Sequence, residues 1–217
     1  MANTILRKTA LTIAAAAATA GGIAGPAIAA QATPGVQAAM VADRKPGGER
    51  ELDVRYEAQP NFYYCGPAAA RNALSVQGKN IDVDAMAKEM RTTEAGTNSI
   101  NDITPVLNKE TGKDVYKSVE ISGAKADDKQ TDKLRADVVR TVDDGRAVVA
   151  NIAGTATDTD GIAHSFEGGH YISVVGYRDN GNVVTIADSA DPAQASYRMS
   201  IDTLADWIAT RGYTATS

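Results

Sequence analysis

Gly169-His170-Tyr171-Ile172-Ser173-Val174-Val175-Gly176-Tyr177, then Arg178-Asp179-Asn180-Gly181, then Asn182-Val183-Val184-Thr185-Ile186-Ala187-Asp188 is the stretch that decides the fold. Two β-rich runs flank an Asn-Gly pair, whose residues tolerate the positive φ of a tight hairpin turn. Two registers are open. If Asp179-Asn180-Gly181 is a three-residue loop, Val174 pairs with Ile186 and Ile172 with Asp188. Then His170, Ile172, Val174, Val184, Ile186 and Asp188 share one face. If Asn180-Gly181 is a two-residue loop, Ile172 and Val174 share their face with Val183, Thr185 and Ala187, and Asp191 falls opposite His170. The first register gives the more apolar core face and sets Asp188 diagonal to His170.

Upstream, residues 147–152 read as a short buried strand. Residues 127–144 read as an amphipathic helix with Leu134, Val138, Val139 and Val142 on one face, closed by Gly145. Residues 154–169 show no periodicity and read as a long loop containing His164. Helices are expected over 65–78, 83–90 and 99–110, and a strand over 114–121. Pro105 is tolerated only in the first turns of its helix. Downstream, Ser200 caps a last helix to residue 210, with Met199 and Leu204 as a hydrophobic staple, Trp207 inward and Gly212 as its stop. Helices gather early and strands late, which argues an α+β fold with N-terminal helices packed on a C-terminal antiparallel sheet.

Residues 1–30 have the form of a secretory signal peptide: Arg7 and Lys8, then an alanine-rich apolar run, then Gly25-Pro26 and Ala27-Ile28-Ala29. The apolar run is too short and too alanine-rich for a membrane anchor. Residues 31–52 are poor in large apolar side chains and read as a flexible linker or pro-segment. Residues 53–217 then form one domain. The net charge of −5 becomes about −7 once the signal is removed, which does not suit a nucleic-acid or anionic-membrane binder. No nucleic-acid partner and no membrane anchor are expected, and the chain is expected to be a monomer.

The sequence holds one cysteine, Cys65, in Gln59-Pro60-Asn61-Phe62-Tyr63-Tyr64-Cys65-Gly66-Pro67-Ala68-Ala69-Ala70. It cannot form an intramolecular disulfide, so it is either a buried small apolar side chain or a reactive thiol. It stands where a polar aromatic loop meets an alanine-rich helix, and a helix N-terminus favours the thiolate. Its base is His170, which a strand would hold, rather than His164 in the loop. The orienting acid is Asp188, with Asp191 as the alternative. The Cys65 backbone N–H and the Gln59 side chain could receive an oxyanion. Two histidines and one cysteine are too few for a zinc site, and no metal or other cofactor is expected. Tyr63 and Tyr64 either line a substrate pocket or pack the helix entry.

The pattern Gln59-x5-Cys65-Gly66-Pro67-Ala68-Ala69, then Gly169-His170-Tyr171 through Tyr177, then Ile186-Ala187-Asp188, resembles the C39-like family of papain-fold cysteine peptidases. The resemblance runs from about Tyr56 to Pro192. It implies a papain-like fold, with Cys65 as nucleophile, His170 as general base then acid, Asp188 as orienter and Gln59 as oxyanion donor. Bacteriocin-processing members are fused to a transporter and work inside the cell, so their substrate is not carried over. Family members often have Asp-Pro directly, whereas here Asp188 is followed by Ser189-Ala190-Asp191-Pro192, which keeps Asp191 open. The expected activity is that of an exported cysteine peptidase or amide hydrolase acting on a peptide or protein. The alternatives are a transglutaminase-like acyl transferase on the same triad, or a catalytically silent binding module.

Overall fold

The computed structural model describes residues 48–217. The signal-peptide reading, and the linker reading up to residue 47, lie outside the described residues. In chain order the elements are β1 (Arg50–Glu51), α1 (Cys65–Ser75), α2 (Val83–Glu89), α3 (Ile100–Thr111), β2 (Tyr116–Glu120), α4 (Asp128–Asp143), β3 (Val148–Thr157), β4 (Ala163–Arg178), β5 (Val183–Ala187), β6 (Ser196–Ser200), α5 (Ile201–Ile208) and β7 (Gly212–Thr216). The sheet is antiparallel in the order β2-β7-β3-β4-β5-β6. β1 pairs with β4 at Tyr177 and Gly176. Arg50–Glu51 is therefore part of the sheet, although the sequence assigns it to a flexible linker.

Strand alternation sorts the apolar side chains into two cores. Val148, Ala150, Ile152, Ile172, Val174 and Ile186 pack with Leu134, Val138 and Val142 of α4 and with Leu204, Trp207 and Ile208 of α5. Val149, Tyr171, Val175 and Ala187 pack with α1, α2 and α3 through Ala69, Ala73, Met86, Met90, Ile103 and Leu107. The α+β fold therefore has helices on both faces of its sheet: the N-terminal helices cover one face, and the two later helices cover the other. α4 begins with a full capping box, in which Asp127 and Gln130 satisfy each other's backbone N–H. Pro105 sits inside α3 past its first turn, and the helix continues through it.

The hairpin combines both candidate registers. Asn180 (φ 53°, ψ 31°) and Gly181 (φ 91°) form the two-residue turn, and Asn182 N–H bonds Asp179 O at 3.0 Å. Near the turn Tyr177 pairs with Val184 and Gly176 with Thr185, whereas Val174 pairs with Ile186 and Ser173 with Ala187. A β-bulge between Val174 and Gly176 absorbs the one-residue difference. The bulge reverses the side-chain alternation, so Tyr177 joins the α4 side and its hydroxyl bonds Asp143 at 2.8 Å.

Three further segments differ from expectation. Residues 154–169 form strand rather than loop, because β3 and β4 run on past Ile152 and His170 to pair Thr155 with Ser165 and Thr157 with Ala163. A register shift between Ile152 and Gly154 breaks the alternation, which hides the strand period. Gly212 opens β7 rather than ending α5; a Cβ there would come within 2.6 Å of Val119 O on β2. Ser196–Ser200 is an edge strand with Tyr197 and Met199 buried.

Leu134 is fully buried in the α4 core. Leu134→Ala is predicted to lower the unfolding free energy by about 2–5 kcal/mol. Urea denaturation, with unchanged far-ultraviolet circular dichroism in the absence of denaturant, measures it.

Candidate active site

Cys65 is the first residue of α1, and the helix has no side-chain N-cap from Tyr64. All of α1 is buried, and its run of alanines lets it lie against β4, where Ser173 Oγ donates to Ala69 O at 2.7 Å. Gly66 is required by close approach, since a Cβ there would come within 2.4 Å of Thr97 Oγ1. On its other flank α1 holds the segment that leads to the site. Asn72 exchanges two hydrogen bonds with the Glu57 backbone at 3.0 and 3.1 Å, and Arg71 donates to Ala58 O at 3.1 Å.

His170 lies beyond the last β4–β5 pair, opposite Ile152 of β3, and is buried. Its Nε2 bonds Asp188 Oδ1 at 2.7 Å, and the Cys65 thiol lies near enough to the ring to contribute to its raised pKa. With Nε2 engaged by the carboxylate, Nδ1 is the nitrogen left for sulfur. The structure thus brings Cys65, His170 and Asp188 together. Asp191 is elsewhere: its Oδ1 caps the short turn after it by accepting from Ala193 N–H at 2.9 Å.

Asp188 is buried and well satisfied. Oδ1 also accepts from Ala190 N–H at 3.0 Å, and Oδ2 accepts from the Tyr197 hydroxyl at 2.9 Å. Burial alone would raise its pKa, but the His170 bond and charge, Ala190 N–H and Tyr197 together hold it below the ordinary carboxylate value. Burial alone would lower the pKa of His170. The Asp188 hydrogen bond and the nearness of the Cys65 thiol, with the charges of both, outweigh it and raise the pKa to about 9.

Gln59 comes close to the site through Ser189, the neighbour of Asp188. Its backbone N–H donates to Ser189 O at 2.9 Å, and its Oε1 accepts from Ser189 Oγ at 3.2 Å. Its Nε2 donates to Asn61 O at 2.8 Å, which uses one of its two amide hydrogens. Tyr63 lies edge-on between Phe62 and Tyr64, with ring centroids 5.1 and 5.2 Å away, and Phe62 is 81% exposed.

Tyr197 and Phe166 contribute to the site without having been singled out in the sequence. Phe166 stacks on the His170 ring at 4.1 Å, and Tyr197 holds the far oxygen of Asp188. Tyr197 in turn stacks on His164 at 3.8 Å. His164 is buried in strand β4 and bonds Asp158 at 3.0 Å, so the two histidines hold separate carboxylates. Period-two alternation over 196–200, with Tyr197 and Met199 inward, was the available signal for Tyr197.

Because its folded pKa is raised, His170 contributes stability that is complete below its unfolded value of about 6.5 and is lost as pH rises through the folded value. Asp188, whose pKa is depressed, contributes stability above its unfolded value of about 3.9 and loses it as pH falls through the lowered value. Asp188→Asn is predicted to lower the His170 titration midpoint from about 9, as followed by imidazole NMR. An unchanged midpoint would show that the carboxylate does not control the ring.

Three solved structures are similar to the chain. A candidate C39-like peptidase from Bacillus anthracis matches with a TM-score of 0.50 at 12% identity, covering 77% of this chain and 98% of its own. The peptidase domain of Streptococcus ComA, a bi-functional ABC transporter of a quorum-sensing pathway, matches at 0.48 and 18% identity, covering 74% and 97%. A double-glycine-motif protease from an AMS/PCAT transporter, in complex with a leader peptide, matches at 0.48 and 12% identity, covering 77% and 94%. No curated protein sequence matches the chain. The family model described as Peptidase_C39 like matches residues 51–215, which contain α1 with Cys65, β4 with His170, and Asp188, and the chain belongs to that family.

Proposed function

We propose that the protein is an exported cysteine peptidase, or a related amide hydrolase, acting on a peptide or protein substrate. One observation carries this reading: the lone thiol opens a buried helix beside a histidine whose Nε2 is held by a buried carboxylate, and its nearness helps raise the pKa of that histidine. Family membership supports the peptidase class.

In this reading Cys65 attacks the scissile carbonyl as a thiolate. His170 stays protonated near neutral pH, because Asp188 and Cys65 favour its charged form, and it gives that proton to the leaving amine. It then takes a proton from the water that hydrolyses the thioester. Asp188 orients the ring and balances its charge, Tyr197 keeps that carboxylate ionised, and Phe166 covers the ring face. The Cys65 N–H and the second Gln59 amide hydrogen receive the developing oxyanion. The aromatic run Phe62-Tyr63-Tyr64 offers a substrate an apolar surface next to the nucleophile. Export rests on the character of residues 1–30, and N-terminal sequencing of protein from the culture medium tests it.

Cys65→Ala is expected to abolish peptide hydrolysis, and Gln59→Ala to lower kcat by about 10²–10³-fold. Turnover by Cys65→Ala at the wild-type rate would defeat the thiol mechanism. The active form needs the His170 proton, so kcat/KM should hold through neutral pH and fall above about pH 9. A fall centred near 6.5 would mean that the imidazolium is not the working species.

A further inference from the structure

A cavity of about 240 Å³ lies between the N-terminal end of α3 and the α5–β7 connection, lined by Asn98, Ser99, Ile100, Glu120 and Arg211 among others. Its wall is joined to both reacting groups through their chain neighbours. Asn98 follows Thr97, whose side chain lies against Gly66, the residue after Cys65. On the other side, Arg211 Nη2 lies 3.4 Å from where a Cβ on Gly169 would stand, and Gly169 precedes His170. Tyr171, the residue after His170, donates its hydroxyl to Thr97 O at 3.2 Å, which ties β4 beside His170 to the segment that leads into the cavity wall.

Arg211 is held but not neutralised. Its backbone N–H bonds Ile208 O at 2.9 Å, and its carbonyl accepts from Ile121 N–H at 3.0 Å. Its guanidinium is half-buried and has no hydrogen-bond or ion-pair partner among the described residues. Glu120 shares the cavity wall but accepts from Asn101 at 3.3 Å and makes no ion pair with Arg211 among the described residues, and Asp102 pairs with Arg91. A fixed, half-desolvated guanidinium presents a fork of donors suited to a carboxylate.

We propose that this cavity is a substrate subsite in which Arg211 receives a carboxylate, from either an Asp or Glu side chain close to the scissile bond or the free C-terminus of a peptide. The proposal rests on the peptidase reading for the identity of the substrate. Its test does not need turnover. Chloroacetyl probes alkylate Cys65 by forming a C–S bond and releasing chloride. N-Chloroacetyl-glutamic acid α-amide is compared with N-chloroacetyl-glutaminamide for a side-chain carboxylate, and N-chloroacetyl-glycylglycine with its amide for a terminal one. The acid-to-amide rate ratio is read in wild type, Arg211→Gln and Arg211→Lys, so any general change in thiol reactivity or folding cancels.

At least one acid probe is expected to label Cys65 about tenfold faster than its amide. Arg211→Gln should bring the ratio to within about twofold, and Arg211→Lys should keep part of it. The faster pair identifies the source of the carboxylate. Ratios near one in wild type overturn the proposal, as does a preference that survives Arg211→Gln, which would assign the attraction to the His170 imidazolium. Loss of hydrolysis with the labelling preference intact would defeat the peptidase reading alone. Hydrolysis without the preference would defeat the subsite alone.

Discussion

The docking of α1 against β4 sets the approach of the Cys65 thiol to His170 at the candidate site. Ala69 and its neighbours bring no bulk to the contact, so the helix backbone comes close enough for the Ser173 hydroxyl to bond the Ala69 carbonyl at 2.7 Å. Cys65 opens that helix and His170 lies three residues before Ser173, so one side-chain-to-backbone bond helps fix thiol and imidazole together. The same helix delivers Gln59, because Asn72 and Arg71 pair with the otherwise unpaired backbone of the segment before it.

The opposite face of the sheet supplies the acid. β5 and β6 place Asp188 and Tyr197 side by side at the end of the α4–α5 core, where a buried carboxylate would be costly if left unpaired. His170, Ala190 N–H and Tyr197 satisfy its two oxygens. The result is a buried pair in which each partner favours the other's charged form, with His170 shifted up and Asp188 shifted down. Stacking by Phe166 and, through Tyr197, by His164 extends the packing around that pair into the extended β3–β4 hairpin.

Most helices were legible because their signals are local: Asp82, Asp127 and Ser200 act as N-caps, and apolar residues recur at helical spacing. The strands were less so. The β3–β4 extension carries an irregularity next to Gly154, and Gly212 looks like a helix stop although its real constraint is the nearness of β2. The hairpin shows the same limit. Its turn follows the Asn-Gly rule, yet the pairing near Asp188 follows the apolar pattern, and only the bulge after Val174 reconciles them.

The sequence by itself determined the α+β class, the helix that begins at Cys65, and the short set of groups able to do nucleophilic chemistry, because capping, periodicity and residue chemistry are properties of neighbours along the chain. Only the tertiary structure decided that Asp188 rather than Asp191 holds His170, that Tyr197 completes the carboxylate's hydrogen bonds, and that Arg211 stands beside Gly169 with no side-chain partner among the described residues. Those relations join residues from separate strands and connections. They depend on a bulge, a close helix contact and sheet order, which no local pattern encodes.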